Sequence, residues 1–225
     1  MPEVDVLVVG AGPAGAVAAW HAKAAAPELD VVVLERDPAV GAPVRCAEGV
    51  GDAGLREFAD PDGADWVSRR ITDVIFQAPD DTEVRLANSV VAWILDRTRF
   101  DAFLAAEAAR AGAHVLVGAE ATGMARDGDG PWHVRVLERG REVVYRARVV
   151  IGTDGVETMV GRWAGLDTRC PARDMESCAQ YVLQGIDFNP DAIYLQFGSA
   201  IALAGTRGFS PRAWGPRTWV WAWWR

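Results

Sequence analysis

The stretch Asp5–Gly15, DVLVVGAGPAG, decides the fold of this chain, because it has the pattern of an apolar strand, a glycine turn and a helix start. Gly10, Gly12 and Gly15 have the G-x-G-x-x-G spacing of dinucleotide-binding proteins. The first glycine allows a tight turn, the second lets the backbone approach a pyrophosphate, and the third lets the helix pack close to the strand. The stretch therefore predicts a phosphate-binding turn at a helix N-terminus.

A second apolar strand ends in an acidic residue, as this interpretation requires. An alanine-rich helix is predicted over residues 14–26, and the strand at 31–34 leads into Glu35. Dinucleotide-binding folds place the acid that binds ribose about 20 residues after the glycine turn, which is where Glu35 lies. A glycine-rich turn that only packs a helix onto a sheet is the alternative interpretation.

Composition limits the class of protein. The 225 residues are half hydrophobic and carry a formal net charge of −8. We do not expect a nucleic-acid partner, because phosphate backbones are bound by concentrated Lys and Arg. Cys46, Cys170 and Cys178 form no C-x-x-C pair and no cluster with histidine, which predicts a reduced, cytoplasmic protein without a structural metal. We see neither a signal peptide nor a membrane-spanning run.

The segment after Glu35 departs from a plain nucleotide-binding fold. Residues 37–50 are rich in Gly and Pro, which predicts an ordered loop near the ligand. The later pattern predicts short helices at 55–58 and 157–164 and a longer helix at 96–111. It predicts antiparallel strands at 71–77, 83–86 and 90–95, and a hairpin of 132–137 with 142–147. A third parallel strand is predicted at 114–117 and a further strand at 149–151, and alternation returns over 170–197.

The order of the motifs resembles that of a known flavoprotein superfamily. The glycine turn and its acid are followed by R-x-x-F-D at a helix start (Arg97, Phe100, Asp101) and by a strand that ends in G-T-D-G. This order resembles that of the aromatic hydroxylases. Within the superfamily, GAPVRCAEGV at 41–50 and SCAQYVLQGIDF at 177–188 resemble the geranylgeranyl reductase family, in particular archaeal digeranylgeranylglycerophospholipid reductases. The resemblance extends from residue 4 to residue 202.

The resemblance implies an α/β fold. Its main part is a Rossmann-like FAD-binding domain of the aromatic-hydroxylase or glutathione-reductase type, over residues 1–60 and 91–168. An inserted, incomplete antiparallel β substrate layer is expected over 61–90 and 169–202.

The resemblance also implies a set of FAD contacts. The glycine turn would hold the pyrophosphate beside Ala14, and Glu35 would bind the ribose. The other implied contacts are Arg45, Cys46, Ala47, Gly49, Arg97, Ala121 and Asp154. For four of these the residue type leaves an alternative open. Arg97 either pairs with a phosphate or is a solvated arginine at a helix end, and Arg45 either neutralises the cofactor or pairs with Glu48. Cys46 either lies near the isoalloxazine ring or is a small buried residue. Asp154 either contacts the cofactor or caps the next helix.

The activity implied is reduction of C=C bonds in the geranylgeranyl chains of isoprenoid lipids. The electron donor would be ferredoxin, NAD(P)H or F420, and a lipid substrate implies peripheral contact with the inner face of the membrane. No residue is identified as the proton donor. The rival interpretations are an FAD- and NAD(P)H-dependent monooxygenase, which the P-V-R-C-A-E-G loop disfavours, a non-catalytic nucleotide-binding or interaction module, and an NAD-dependent dehydrogenase, which the insert and G-T-D-G disfavour.

Residues 203–225 differ from the rest of the chain. Half of the ten tryptophans fall there, at 214, 219, 221, 223 and 224, without a period of 2 or 3.6. Back-translation with GC-rich codons and a one-base shift gives GGYAWVFPKGVGTANVGVGVVA, which resembles the P-G-G-Y-x-W-x-F-P-K-G and A-N-V-G motifs of the reductases. We therefore hypothesise an out-of-frame tail, and expect weak or no FAD retention and no reductase activity. An aromatic belt at a membrane interface is the alternative.

Overall fold

The computed structural model describes residues 1–88, 92–175, 178–184, 189–198, 206–212 and 218–224. In chain order their elements are β1 (Glu3–Val9), α1 (Pro13–Ala25), β2 (Val31–Glu35), β3 (Gly49–Gly51), α2 (Asp52–Arg56), β4 (Val67–Ile71), β5 (Asp73–Gln77), β6 (Glu83–Leu86), β7 (Ala92–Leu95), α3 (Arg97–Arg110), β8 (His114–Val117), β9 (Ala119–Ala125), β10 (Trp132–Glu138), β11 (Arg141–Gly152), α4 (Met159–Trp163), β12 (Cys178–Gln184), β13 (Ala192–Phe197), β14 (Thr206–Arg212) and β15 (Thr218–Trp224). Two 3₁₀ turns, Gly155–Glu157 and Ala172–Asp174, complete the set.

The chain divides into two compact units. The first comprises Met1–Ala42 and Thr98–Arg169, and the second comprises Pro43–Arg97 and Cys170–Arg225. The predicted division gives residues 43–60 and 92–97 to the FAD-binding part, whereas their contacts group them with the second unit.

The first unit is built on a six-stranded sheet with the order β8-β2-β1-β11-β10-β9. β8, β2, β1 and β11 are parallel neighbours, which confirms the predicted Rossmann-like arrangement. Val9 at the end of β1 is level with Leu34 on one side and with Gly152 on the other. Because parallel strands end at one edge of a sheet, the glycine turn, Glu35 and the G-T-D-G segment meet at that edge.

Both faces of this sheet are covered, which is why its central strands are continuously apolar. Leu7 and Val9 belong to one buried cluster with Leu34 and Val136. Side chains alternate along a strand, so Val6 and Val8 point to the opposite face and join a second cluster with residues of the two long helices. The alanines of α1 leave that helix close to the strands, and this closeness fixes where its N-terminus lies.

β11 differs from its prediction. The sequence pattern separated a hairpin arm at 142–147 from a strand at 149–151, whereas Arg141–Gly152 is one strand. Its first half pairs antiparallel with β10 and its second half pairs parallel with β1. No Gly, Pro or Asn interrupts these residues before Gly152, so nothing in the sequence ends the strand between the two halves.

The second unit contains a six-stranded sheet with the order β12-β15-β14-β13-β5-β6 and a three-stranded sheet with the order β3-β7-β4. The predicted strand at 71–77 covers the last residue of β4 and the whole of β5, which belong to different sheets. Thr72 separates them, and its backbone N–H donates to the Asp191 carbonyl. The insert was predicted to be antiparallel. That is wrong for one pair, because β13 runs parallel to β5 with Ala192 opposite Asp73.

Smaller differences concern element ends and the tail. The helix expected at 55–58 lies at Asp52–Arg56, and the one expected at 157–164 is a 3₁₀ turn followed by α4. Three of the predictions fall partly outside the described residues. These are the start of the strand predicted at 90–95, the second family motif at Ser177 and 185–188, and the tail at Trp214. The tail contributes β14 and β15, and Cys178 on β12 is opposite Trp224 on β15.

Candidate cofactor site

Two of the three glycines in the turn are required by packing. Gly10 has φ +102°, and a Cβ there would lie 2.4 Å from the Thr153 carbonyl oxygen. A Cβ on Gly15 would lie 1.9 Å from the Gly10 carbonyl oxygen. Gly12 differs, because its φ is −62° and no heavy atom lies within 4 Å of the position of a Cβ. The backbone at Gly12 therefore faces open space, as approach of a pyrophosphate requires.

The N-terminus of α1 supplies donors at the same place. Gly12 is the N-cap of this 13-residue helix, no side chain caps it, and Pro13 occupies the first turn. The first-turn N–H groups of a helix lack intrahelical partners and carry a partial positive charge. Ala14, which the resemblance places beside the pyrophosphate, is exposed there. This end of α1 can bind an anion.

Glu35 has a second task that sequence reasoning did not find. Its Oε2 accepts a hydrogen bond of 3.0 Å from the backbone N–H of Ala11, and its Oε1 accepts one of 2.9 Å from the N–H of Asp37. The Gly10 N–H donates to the Leu34 carbonyl at 2.8 Å. The end of β2 thus holds the glycine turn in place. Each carboxylate oxygen can accept more than one hydrogen bond, so Glu35 keeps capacity for ribose hydroxyls.

Thr153 was not predicted as a site residue. Its hydroxyl lies 2.8 Å from the Val9 carbonyl oxygen and 2.9 Å from that of Gly10, and its own backbone N–H donates to Val9 at 2.9 Å. The signal that could have found it is a β-branched hydroxyl residue directly after an apolar parallel strand. Thr153 joins the end of β11 to the glycine turn.

Asp154 has one of the two roles that its position allowed, that of a helix cap, and contact with the cofactor stays a prediction. Its Oδ2 accepts a hydrogen bond of 2.9 Å from the backbone N–H of Val160 and so caps the first turn of α4. It also lines the cavity at the edge of the sheet, as does Ala121 of β9. The carboxylate is therefore held in a fixed orientation beside any ligand in that cavity.

The cavity has a volume of about 490 Å³, which is within the range of small-molecule sites. Its apolar lining comes from Val9, Leu34, Ala119, Ala121, Met159 and Trp163, and its polar lining includes Glu35, Asp37, Glu120, Asp154, Glu157 and Arg36. Arg36 and Glu157 form an ion pair of 2.7 Å at the cavity. The hydrogen bond that Arg36 donates to Glu157, followed by the negative charge of Glu157, raises the pKa of Arg36 above its ordinary value. Carboxylates outnumber cations here, which favours a neutral ribose over an additional phosphate.

The loop with the predicted contacts at 45–49 lies in the second unit, and its fixed point is Glu48. Glu48 is wholly buried and has φ +66°. Its Oε1 accepts a hydrogen bond of 3.1 Å from the backbone N–H of Arg97, and its carbonyl accepts one of 2.9 Å from Leu95. The half-buried Cys46 accepts the Glu48 N–H through its Sγ at 3.3 Å. Sequence reasoning considered Glu48 only as a partner for Arg45.

The predicted contacts thus form two groups. Gly10, Gly12, Glu35, Ala121 and Asp154 line one cavity, with Ala14 and Gly15 at the adjoining helix start. Arg45, Cys46, Ala47, Gly49 and Arg97 belong to the second unit, where the loop adjoins the start of α3. Arg45 is exposed and, among the residues described, forms no ion pair with Glu48. No helix in the described part of the chain is long and apolar enough to cross a membrane.

A parallel sheet with a glycine turn, an uncapped helix start and an acid at one edge defines a dinucleotide-binding fold. The chain belongs to the FAD-dependent oxidoreductase family, whose model matches residues 5–213. The predicted cofactor, FAD, is confirmed as that of the family. The residues of the first unit fit the ADP part of FAD, because Gly12 leaves room for a pyrophosphate and Glu35 can still accept from a ribose.

The similar proteins include geranylgeranyl reductases, which confirms the predicted resemblance. A digeranylgeranylglycerophospholipid reductase of Methanocella arvoryzae is 43% identical over 208 residues, 90% of this chain and 52% of that protein. One of Methanosphaerula palustris is 42% identical over 221 residues, 96% of this chain and 54% of that protein. The chain therefore spans about half the length of the curated relatives it matches.

Solved structures agree with this assignment. A geranylgeranyl bacteriochlorophyll reductase-like protein of Thermoplasma acidophilum is 33% identical, with a TM-score of 0.88 over 99% of this chain and 56% of that one. A p-nitrophenol 4-monooxygenase of Pseudomonas putida has a TM-score of 0.74 over 100% of this chain and 58% of that one, at 16% identity. The monooxygenase shares the fold only.

Proposed function

We propose that this chain is the FAD-binding part of a reductase that saturates C=C bonds in the geranylgeranyl chains of archaeal-type isoprenoid lipids. The observation that carries the cofactor half of the proposal is the turn at Gly12, which faces open space at an uncapped helix start beside Glu35. The names of the relatives support the substrate half.

In this proposal the residues of the chain bind and orient the cofactor. When bound, FAD supplies the hydride chemistry. The N–H groups at the start of α1 bind the pyrophosphate, and Glu35 accepts from the ribose. Asp154 and Ala121 lie along the cavity wall. We propose that Arg45, Cys46, Ala47, Gly49 and Arg97 contact the remainder of the cofactor, with Cys46 near the flavin ring.

The partners are part of the same proposal. The substrate is an isoprenoid lipid, which requires contact with a membrane surface. The sparse cysteines favour a cytoplasmic protein, so this contact is with the inner face of the membrane. An external donor, which is ferredoxin, NAD(P)H or F420, reduces the flavin. Nucleic acid is not a partner, in keeping with the net charge of −8.

The test expresses the gene with the reading frame after codon 202 shifted by one base, and assays the product with reduced FAD and a digeranylgeranylglycerophospholipid in mixed micelles. We expect mass spectrometry to detect two added hydrogens for each double bond, with none in a Gly15→Ala control. Oxygen uptake coupled to NAD(P)H oxidation, without saturation of the lipid, would instead identify a monooxygenase and overturn the proposal.

We further propose that residues 203–225 are out of frame, and that the 225-residue chain retains FAD weakly and is inactive. The support is the local excess of tryptophan and the family motif recovered after a one-base shift. Resequencing the gene from codon 195 tests this. A confirmed frame without reductase-like sequence downstream contradicts it, and so does an active 225-residue chain that purifies with stoichiometric bound FAD. If the tail is instead a binding surface, its deletion will abolish binding to lipid vesicles.

A further inference from the structure

The hydroxyl of Thr153 occupies the gap between the glycine turn and the end of β11. It lies within hydrogen-bond distance of two consecutive carbonyls, those of Val9 and Gly10, at 2.8 and 2.9 Å. A hydroxyl has one proton, so the two acceptors share it. Val9 also accepts the Thr153 backbone N–H at 2.9 Å, which fixes the position of the threonine itself. The hydroxyl can therefore hold the Gly10 carbonyl, because the position of Thr153 is itself fixed.

The turn is held from two sides by different strands. From β2, Glu35 accepts the Ala11 N–H and the Leu34 carbonyl accepts the Gly10 N–H. From β11, Thr153 reaches the carbonyl side of the same peptide region. The peptide planes of the turn are thereby constrained through both their donors and their acceptors.

Thr153 packs closely against both Gly10 and Gly15 of the turn. A Cβ on Gly15 would lie 2.6 Å from the Thr153 Oγ1, and a Cβ on Gly10 would lie 2.4 Å from the Thr153 carbonyl oxygen. The space left by the two glycines is thus filled by Thr153. An alanine at residue 153 would leave the turn without this partner.

We propose that Thr153 is a positioning residue that sets the conformation of the pyrophosphate-binding turn before the ligand arrives. The inference rests on the proposed FAD binding and deepens it. A turn that is already ordered does not lose conformational entropy on binding, and its N–H groups point at the phosphates from the start. Removal of the hydroxyl therefore weakens binding of the ADP part without removing any group that touches it.

The experiment compares Thr153→Val, which keeps the shape and loses the donor, with Thr153→Ser, which keeps the donor. Affinities for FAD and, separately, for ADP are measured on the full chain by fluorescence titration, with the melting temperature of each variant. Hydrogen exchange of the amides in residues 10–16 is followed without ligand. Thr122→Val is the exchange control, because Thr122 lines the same cavity but bonds to Arg135 rather than to the turn.

We expect Thr153→Val to weaken FAD and ADP binding about fivefold, the effect of one net hydrogen bond, and to speed exchange in the turn. Thr153→Ser should restore both to within about twofold. Wild-type affinity and exchange in the folded Val variant overturn the inference, and so does a Ser variant as weak as the Val variant. If the Val variant does not fold, failure of the Ser variant to match wild type still overturns it.

Failure of the proposed function gives a different result. A wild-type chain that binds neither FAD nor ADP contradicts the proposed function, whereas the exchange data still decide whether Thr153 orders the turn. A lowered melting temperature with unchanged affinity and exchange assigns Thr153 a structural role only and overturns the inference.

Discussion

The Glu48 carboxylate caps α3 from a point 49 residues earlier in the chain, because its Oε1 accepts the backbone N–H of Arg97 at 3.1 Å. The first N–H groups of a helix have no partner within it, and a carboxylate is a favourable acceptor there. The Glu48 carbonyl accepts a hydrogen bond from the Leu95 backbone N–H, and the Glu48 N–H donates one to the Cys46 Sγ. Glu48 therefore joins the predicted FAD loop to the start of α3.

Replacement of Glu48 should destabilise the chain. Glu48→Ala removes a buried cap, and we expect the free energy of unfolding to fall by about 1–3 kcal/mol. Glu48→Gly removes the same side chain but suits φ +66°, so it should be more stable than the alanine variant by about 0.5–1 kcal/mol. Urea unfolding measures both. Equal stability of the two variants would show that the backbone at residue 48 is not strained.

The three glycines of the turn should respond differently to alanine. In Gly15→Ala a Cβ would overlap the Gly10 carbonyl, so we expect loss of more than about 2 kcal/mol of stability and loss of FAD binding. Gly12→Ala has room in the free protein and should keep the wild-type melting temperature. It should nevertheless bind FAD more weakly, because the new methyl group occupies the approach to the pyrophosphate. A Gly12→Ala variant with wild-type FAD affinity would place the pyrophosphate elsewhere.

Glu35 should contribute to affinity through the turn as well as through the ribose. The two Glu35 carboxylate oxygens accept hydrogen bonds from the backbone N–H groups of Ala11 and Asp37. Glu35→Gln replaces one of these oxygens with an amide group, which donates instead. We expect FAD affinity to fall about tenfold or more, since hydrogen bonds to a charged group are the stronger kind. Exposed Glu28→Gln is the control, and titration with FAD is the measurement. Unchanged affinity in Glu35→Gln would remove Glu35 from the site.

The second unit should lose stability in acid through Asp73. Asp73 is 4% exposed, and hydrogen bonds first from Arg85 and then from the Asn88 N–H hold its pKa below the usual value. A lowered folded-state pKa gives stability that is present above the unfolded pKa of about 3.9 and is lost as pH falls through the folded value.

The melting temperatures of wild type and Asp73→Asn should therefore differ most near neutral pH and converge below about pH 4. Calorimetry from pH 7 to pH 3 would show this, with exposed Asp81→Asn as the control. If wild type keeps the same excess in melting temperature over Asp73→Asn in acid, the charge of Asp73 does not stabilise the fold through its ion pair with Arg85.

Some of the site could be predicted because its signals are local. Gly10, Gly15 and Glu35 follow from spacing and strand pattern, and the structure gives each a geometric reason. Thr153 and Glu48 were missed because each acts on residues far away in the sequence. Thr153 bonds to Gly10 across 143 positions, and its residue type and place after an apolar strand do not by themselves show which distant carbonyl it contacts.

The errors in the fold have a related cause. The parallel β13–β5 pair joins segments more than 100 positions apart, and alternation within each strand does not reveal which neighbour it has or in which direction. The division of β11 failed because one strand serves an antiparallel and a parallel partner in succession.

By itself, the sequence determined the apolar strands, the glycine turn, the acid after β2 and the flavoprotein family, because these depend on residue type at short spacing. Only the tertiary structure decided that β2 and β11 hold the turn from opposite sides through Glu35 and Thr153, and that Glu48 caps α3. The reason is physical. A hydrogen bond depends on the positions of two atoms in space, and for distant residues those positions follow from the packing of the whole sheet.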